Sequence, residues 1–594
     1  MAADDPNLPI RWDGALHGLY PYLGTAGLGV ALFLTGIEAT IVSTSLVTIT
    51  NDLQNSSQSS WVITSYLLTY TGSLLHSHCF QFSAPLTDSI VLGFLIIWSN
   101  GGNLFGVKRA LLTSLFIFTV FSGGCAGAQS LSALCVAKSL VFFLSKQKIT
   151  RLNYRIICRA FQGLGGAGVY TLTLFSLLRI YPYERFGMVS SIAGGIISLG
   201  LVLGPLFGGA ISNSGAWRWV FLYNVPAGAL AWLVILTILP DQFPDAPQMP
   251  TGESTSERMW VDTRAFFYQL DVLGAFLVLT TCSFLIAALQ EGNFEYLWSS
   301  GLVISFLVIS GVAGVTFVWW EWFVDQSGLK IVAVFPWRLT RNRIFMGVAL
   351  CVFLLLEPTD STDQSPYSGF FTTGLPMTVC IIEIPQRFQI VNQSSPLGAG
   401  VKLLSFALSC PLGIIGCSIL AGRLMIPFCY IALIGIACEV TGIFLFSEIP
   451  STTHLWPGQF GYLVLAGLGV GLAVSAFYMA VSLVVDLEDQ STAMGIGIQL
   501  RMLGGVLGVA ASTTILNHYL KSRLSHSMRP EELSALLKTT ESIKNFSPEI
   551  QLRAREVYAL AYSMQMKLAG AFSVAQLLAV AMIWKRQNVR YSKH

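Results

Sequence analysis

Charge is what this sequence has least of. Lysine, arginine, aspartate and glutamate together make up 11% of its 594 residues, against roughly a quarter in ordinary soluble proteins. A shortfall that size is too large for one big core to absorb, so lipid must replace water over much of the surface. The net charge of +3 gives no basic face for nucleic acid. The eleven cysteines contain no CxxC pair and lie mostly inside apolar runs, where they read as small packing residues. Glycine-rich strings such as GLGVGLAVSA have no Walker lysine, which excludes a phosphate loop for ATP hydrolysis. Histidines are scattered, with His76 and His78 the one close pair, and form no metal-ligand cluster. No nucleophile stands out, and the expectation is a protein that is not an enzyme and needs no cofactor. The first twenty residues carry Asp4, Asp5, Arg11 and Asp13 and lack the short apolar core of a cleaved signal. The first span is therefore expected to act as the insertion signal.

What is present is apolar: 53% of the chain, with a mean hydropathy of +0.64. A bilayer core about 30 Å thick needs roughly 20 apolar residues of helix. Such stretches lie near 22–49, 61–98, 108–128, 156–178, 187–211 and 218–239, and again near 271–290, 299–321, 344–383, 396–421, 426–447, 459–485, 493–517 and 567–585. The sequence thus predicts an all-α membrane protein of about fourteen spans. The polar segment 240–270 divides it as a linker, and 518–566 reads as a long outer loop. Lysines and arginines in short loops (Lys108, Arg109, Arg179, Arg185, Arg258, Arg264, Lys330, Arg338, Arg341, Arg343, Arg423) put the N-tail 1–21 and the C-tail 586–594 in the cytoplasm. The acceptor sequons at Asn55, Asn392 and Asn545 then fall on outer loops, as a glycoprotein requires. Trp319, Trp320 and Trp322 cluster at a span end and read as an interfacial belt.

Three segments do not belong to this pattern. Residues 357–366 (EPTDSTDQSP) would place two aspartates, a glutamate and two prolines within a span, and each mid-bilayer charge costs about 2.5–3.5 kcal/mol on insertion scales. Removing about 351–368 joins IFMGVAL to GFFTTGLPMTVCII, and removing 73–93 joins WVITSYLLTYTG to FLIIWSN, each time giving one normal span. The stretch 135–155 puts five basic residues on an outer loop. These segments read either as translated short introns or as genuine loop insertions.

Motifs run in order along the remainder. Gly200, Gly204 and Gly208 recur every fourth residue, followed by Gly209, with Pro205 between them; the full string is GxxxGPxxGG. Such a stripe lets another backbone approach, and the proline, lacking an N–H, kinks the helix. GIEATIVSTSLVTI at 36–49, WVITSYLLTYTG, RAFQGLGGAGVY at 159–170 and the arginine–glycine string from Gln499 to Ala510 accompany it. Together these resemble the fourteen-span drug:proton antiporters of the major facilitator superfamily, in their fungal form. The loop 2–3 string departs from that family: Asn103 and Val107 stand where an acidic and a basic residue are usual, while Gly106, Lys108 and Arg109 are kept. Glu38 replaces the usual aspartate of the first-span motif and still exchanges a proton, and Val47 replaces a proline.

The resemblance implies two six-helix bundles, 22–239 and 344–585, with two extra spans at 271–322 between them. It implies proton-coupled export of small amphipathic organic compounds such as drugs, toxins or secondary metabolites. The partners would then be substrate, protons and the bilayer, with no nucleic acid, and the chain would act as a monomer in the plasma or vacuolar membrane. Ionisable groups within spans are costly and count as functional candidates. Glu38, Arg159 and Arg501 are the proton-coupling candidates, and Gln162 is a candidate for the substrate cavity. Each also reads as a structural tie between helices. Glu383 and Arg387, near a span end, read as interfacial anchors, and Gly467, Gly471 and Ser475 as packing. Uptake of a nutrient or siderophore, a non-transporting sensor, or a non-functional product of the odd segments are the rival readings. Sequencing the spliced transcript tests the intron reading: the expected cDNA lacks 73–93, 135–155 and 351–368, and one containing all three makes them protein.

Overall fold

The computed structural model describes residues 20–52, 66, 107–127, 151–180, 186–239, 271–292, 298–327, 368–450, 456–484, 490–525, 528–529, 531–533, 536 and 540–583. They are almost wholly helical, as a bilayer demands: with no water in the hydrocarbon, each backbone N–H and C=O must be satisfied within its own segment. The helices are α1 (Tyr20–Asp52), α2 (Val107–Ala126), α3 (Arg151–Ile180), α4 (Phe186–Asn213), the single turn α5 (Trp219–Leu222), α6 (Asn224–Ile238), α7 (Val272–Glu291) and α8 (Gly301–Ser327). They continue with α9 (Ser368–Ile390), α10 (Pro396–Gly422), α11 (Phe428–Ser447), α12 (Gly458–Val484), α13 (Gln490–Leu524) and α14 (Pro548–Ile583), with a 3-10 turn at Thr540–Asn545 before the last. Caps follow from sequence. The Asp271 carboxylate accepts from Gly274 N at 2.7 Å to start α7, and Ser395 Oγ accepts from Gly398 N at 3.1 Å to start α10, whose first residue is Pro396.

Nine of these helices are long and apolar enough to cross a membrane, ten when the bent α1 is counted as one span, among the described residues. The difference from about fourteen has two sources. The stretch 61–98, apart from Tyr66, and most of 344–383 lie outside the described residues, as do the linker 240–270, the tail 586–594 and nearly all of 73–93, 135–155 and 351–368. Helices such as α3 form where expected but carry arginine and glutamine inside them, which lowers their apolarity.

Two sets of helices pack by the same rule. In the first, α1 lies against α4 and α6, and α2 against α3 and α6; in the second, α9 lies against α13 and α14, and α11 against α12 and α14. Helices α7 and α8 pair with each other, and α7 reaches α13, where Thr514 Oγ1 donates to Leu289 O at 2.5 Å. The outward face of α8 exposes Val308, Val312, Val315, Trp319 and Trp322, a surface for lipid. Trp320 differs from its two neighbours: its indole N–H donates to Asp271.

The glycine stripe makes the α1–α4 contact. A Cβ at Gly200 would sit 2.8 Å from Ile37 N, and Gly204 and Gly208 meet Thr40 and Ile41 equally closely. In return, α1 hydroxyls donate to α4 carbonyls: Thr40 to Gly200 O (3.2 Å), Thr44 to Pro205 O (3.2 Å) and Ser45 to Gly208 O (3.1 Å). Gly209 faces elsewhere. A Cβ there would lie 2.6 Å from Pro396 O of α10, and Gly400 of α10 rests on Pro205 O. This one motif therefore ties α4 to its own set and to the other.

One expectation is corrected. The segment 518–566, read as a long outer loop, is largely helical: α13 runs on to Leu524 and α14 begins at Pro548. The reason is amphipathic spacing. Ala554, Val557, Tyr558, Ala561 and Tyr562 bury one helix face, and most of them join a cluster with Leu520, Leu524, Leu536, Ile543, Ile390 and Val391. A search for unbroken apolar runs misses a helix that carries charge on its other face.

Gly200→Val forces a side chain into the α1 backbone and is expected to destabilise the protein by about 1–3 kcal/mol, read as a lower unfolding midpoint of the detergent-purified chain, whereas valine at exposed Gly195, where a Cβ meets nothing, leaves it unchanged.

Candidate functional site

Four helices of the first set converge on a closed polar ring. Glu38 of α1 is fully buried and Arg159 of α3 is 1% exposed, and the two form a salt bridge. Arg159 Nη1 also donates to Gln162 Oε1 at 2.8 Å, one helical turn further on. Gln162 Nε2 donates to Ser122 Oγ of α2 at 3.0 Å. Asn224, the first residue of α6, closes the circuit: its Nδ2 donates to Ser122 Oγ at 2.8 Å and to Glu38 Oε2 at 2.7 Å. Ser122 Oγ in turn donates to Phe221 O at 2.8 Å. Aromatic faces sandwich the guanidinium, with Tyr66 at 4.5 Å and Phe221 at 5.4 Å from its carbon. The approach of α3 to α2 depends on Gly165, whose Cβ would touch Phe118 N and Ser114 O.

The bend in α1 falls at this ring: its two parts, Tyr22–Glu38 and Thr40–Ile49, meet at 44°. A buried carboxylate and a buried guanidinium in low dielectric attract strongly, but each loses a large hydration energy, so the pair stands because further hydrogen bonds satisfy both. Here both carboxylate oxygens of Glu38 are engaged.

The structure thus brings Glu38, Arg159 and Gln162 together and leaves Arg501 out. Arg501 of α13 is partly buried; its Nε donates to Tyr478 OH at 3.2 Å and its Nη1 lies 3.3 Å from the Met377 sulfur. Gly505 and Gly508 in the same motif pack on Thr378 and Leu375 of α9, the counterpart of the α1–α4 contact. Lys108 is buried at the start of α2 and Arg109 is exposed, while Asn103 and Gly106 lie outside the described residues. Of the sequons, Asn55 also lies outside them, Asn392 follows α9 partly buried, and Asn545 is exposed at the end of the 3-10 turn. Gly467 and Gly471 pack on Phe406 and Cys410 of α10, so that stripe is packing.

Glu383 and Arg387 are not interfacial anchors: both are buried. Glu383 accepts from Ser512 Oγ at 2.9 Å, and Arg387 donates to Ile449 O at 3.2 Å with its guanidinium 5.0 Å from the Phe446 ring. Sequence reasoning missed Ser122, Asn224 and Glu439. Glu439 sits inside an apolar span and had the same signal as Glu38, an ionisable residue at membrane depth.

This is the fold of a multi-pass membrane transporter, with its polar centre locked between helices and away from lipid. Residues 28–398 match the Major Facilitator Superfamily, and the chain belongs to that family. It is 34% identical to the MFS-type transporter FPY5 of Fusarium mangiferae over 96% of this chain and 84% of that one. It is 25% identical to the efflux pump aflT of Aspergillus parasiticus, over 87% of this chain and 85% of that one. Among solved structures, a bacterial homologue of the human lysosomal transporter Spinster shares the fold at a TM-score of 0.56 and 14% identity, covering 96% of this chain and all of that one.

If the ring is held by its ion pair, Glu38→Gln strands Arg159 without a counter-charge and costs about 3–5 kcal/mol, while joining it to Arg159→Met recovers much of that loss. Thermal unfolding of the three variants checks it, and strictly additive losses would refute it.

Proposed function

We propose that this protein exports small amphipathic organic compounds in exchange for protons. The carrying observation is the ring: a protonatable Glu38, charge-balanced by Arg159, at the bend of a helix that touches both sets. Protonating Glu38 would leave the guanidinium without its counter-ion, so a proton arriving there is coupled to rearrangement of α1, α2, α3 and α6. Gln162, already bound to the ring, is the candidate to read a substrate's polar group, and Arg501 a second coupling group. The repeated packing rule supports two six-helix bundles, 22–239 and 344–585, with α7 and α8 as the extra central spans. Substrate would bind near the midplane between them and rocking would alternate access.

Contacts between the sets support a conformation closed at one end. Gln389 Nε2 of α9 donates to Thr44 O of α1 at 2.8 Å, Thr540 donates twice to Asn51 Oδ1, and Gly209 meets α10. With both tails in the cytoplasm this is the outer end, and Asn392 and Asn545 lie there, as glycosylation requires. Relatives named as efflux pumps favour export, and a plasma-membrane exporter acting as a monomer is the simplest arrangement.

The test is efflux of a fluorescent amphipathic dye, rhodamine 6G, from yeast expressing the full chain, in acidic and in neutral medium. Acidifying the medium raises the inward proton gradient and is expected to raise the initial efflux rate several-fold, and Glu38→Gln to remove that dependence. Efflux indifferent to the gradient and to a protonophore would rule out antiport.

A further inference from the structure

The second set contains the buried carboxyls of Glu439 and Glu383 and, in contrast to the ring, no cation among the described residues holds either. Glu439 of α11 is fully buried, and its Oε1 accepts from Gln576 Nε2 at 2.9 Å and Ser573 Oγ at 2.6 Å, both on α14. Its other oxygen, Oε2, has no hydrogen-bond partner among the described residues, and neither does Oε1 of the same Gln576. Glu383 of α9 is a looser version of the same arrangement. One oxygen accepts from Ser512 Oγ at 2.9 Å and the other is without a partner among the described residues; Gln565 Nε2 donates to Ser512 O at 2.8 Å, and the Gln565 amide oxygen is likewise without a partner there.

Each site therefore has a carboxyl oxygen and an amide oxygen, both buried and both acceptors without a donor among the described residues. One added proton removes both defects. A carboxylic acid and a primary amide pair through two hydrogen bonds, amide N–H to carbonyl oxygen and acid O–H to amide oxygen. The first of these is in place between Gln576 and Glu439. An ionised carboxylate at the same place would be a buried charge with only neutral donors, which costs far more than taking up a proton.

The surroundings agree. Glu439 is faced by Cys380 of α9, Cys410 of α10, and Ser573 and Gln576 of α14, while α12 brings the backbone of Gly469 against it. Glu383 is faced by Ser512 of α13 and by Gln565 and Tyr562 of α14, and among the described residues no ionisable side chain of α1, α10 or α12 acts on it. Arg501, which also acts on Cys410, donates to Tyr478 and Met377 and helps hold neither carboxyl. Gln565, Ser573 and Gln576 are all fully buried and lie along α14, so one helix serves both sites.

We propose that Glu439 and Glu383 are proton-binding sites of the second helix set, distinct from the Glu38–Arg159 ring, each holding its proton against an amide oxygen of α14, Glu439 as a two-bond acid–amide pair with Gln576 and Glu383 through the oxygen of Gln565. Motion of α14 away from α9 and α11 separates acid from amide and leaves the proton free to depart. This goes beyond the antiport reading and does not depend on it.

The test is infrared difference spectroscopy of the full-length protein, reconstituted in lipid and titrated with acid and base. The wild type is expected to show carboxylic-acid C=O bands that respond to pH. Glu439→Gln and Glu383→Gln should each remove one, and Gln576→Leu should move the Glu439 band towards that of an acid without an amide partner. Glu439→Asp, which keeps an acid, serves if the glutamine variant does not fold, and should shift the band without abolishing it. An acid-carbonyl region unchanged in either glutamine variant overturns the two-site assignment. No transport step enters, so failure here leaves antiport standing, and efflux indifferent to the proton gradient leaves these bands in place.

Discussion

Inside a bilayer a polar group has no water to fall back on, so each one must find its partner in the protein. That constraint accounts for the backbone, which is helix almost throughout the described residues, and it accounts equally for the side chains. Thr35 and Ser43 of α1 return their hydroxyls to their own helix, at Leu32 O (2.8 Å) and Thr40 O (2.6 Å). Glu38 does what no local bond can do. It gathers Arg159, Gln162, Ser122 and Asn224 from three other helices, and so fixes how those helices lie.

Close approach is the second requirement, since lipid tails give helices little hydrophobic reason to associate. The glycines supply it, and they do so in both sets by the same means. On α4 they admit the backbone and hydroxyls of α1; on α13, Gly505 and Gly508 admit Thr378 and Leu375 of α9. The polar contents of the two sets then diverge. The first encloses an ion pair, and the second encloses carboxyls with amides and hydroxyls alone. Two copies of one packing plan thus carry different electrostatics.

Much of this was legible in the sequence, because hydropathy and glycine spacing are local signals. Membership in a transporter family, most of the long apolar helices and the stripe on α4 follow from short strings. The pairing of Glu38 with Arg159 was visible only as two costly residues in separate spans. Ser122 and Asn224, which complete their ring, carry no signal of their own: small polar residues are common in membrane helices, and only the packing says which face a partner. Glu439 was passed over because a single glutamate barely lowers the apolarity of α11. Glu383 reads as an anchor from its place along the span, and only the packing shows it enclosed against Ser512 of α13. The helices within 518–566 were missed because a charged outer face hides an apolar inner one.

Those helices bear on how the two sets are joined. Leu520, Leu524, Leu536, Tyr558 and Tyr562 form with Ile390 and Val391 a small core of their own at one end of the helices. The 3-10 turn leading into it is latched to α1, where Asn51 accepts from the backbone and the hydroxyl of Thr540 at 2.9 and 2.8 Å. This small core belongs to the second helix set and is pinned to the first. Releasing it costs two hydrogen bonds, on the order of 1–3 kcal/mol together, which makes it a light clasp between two helix sets that also meet through backbone packed on glycine.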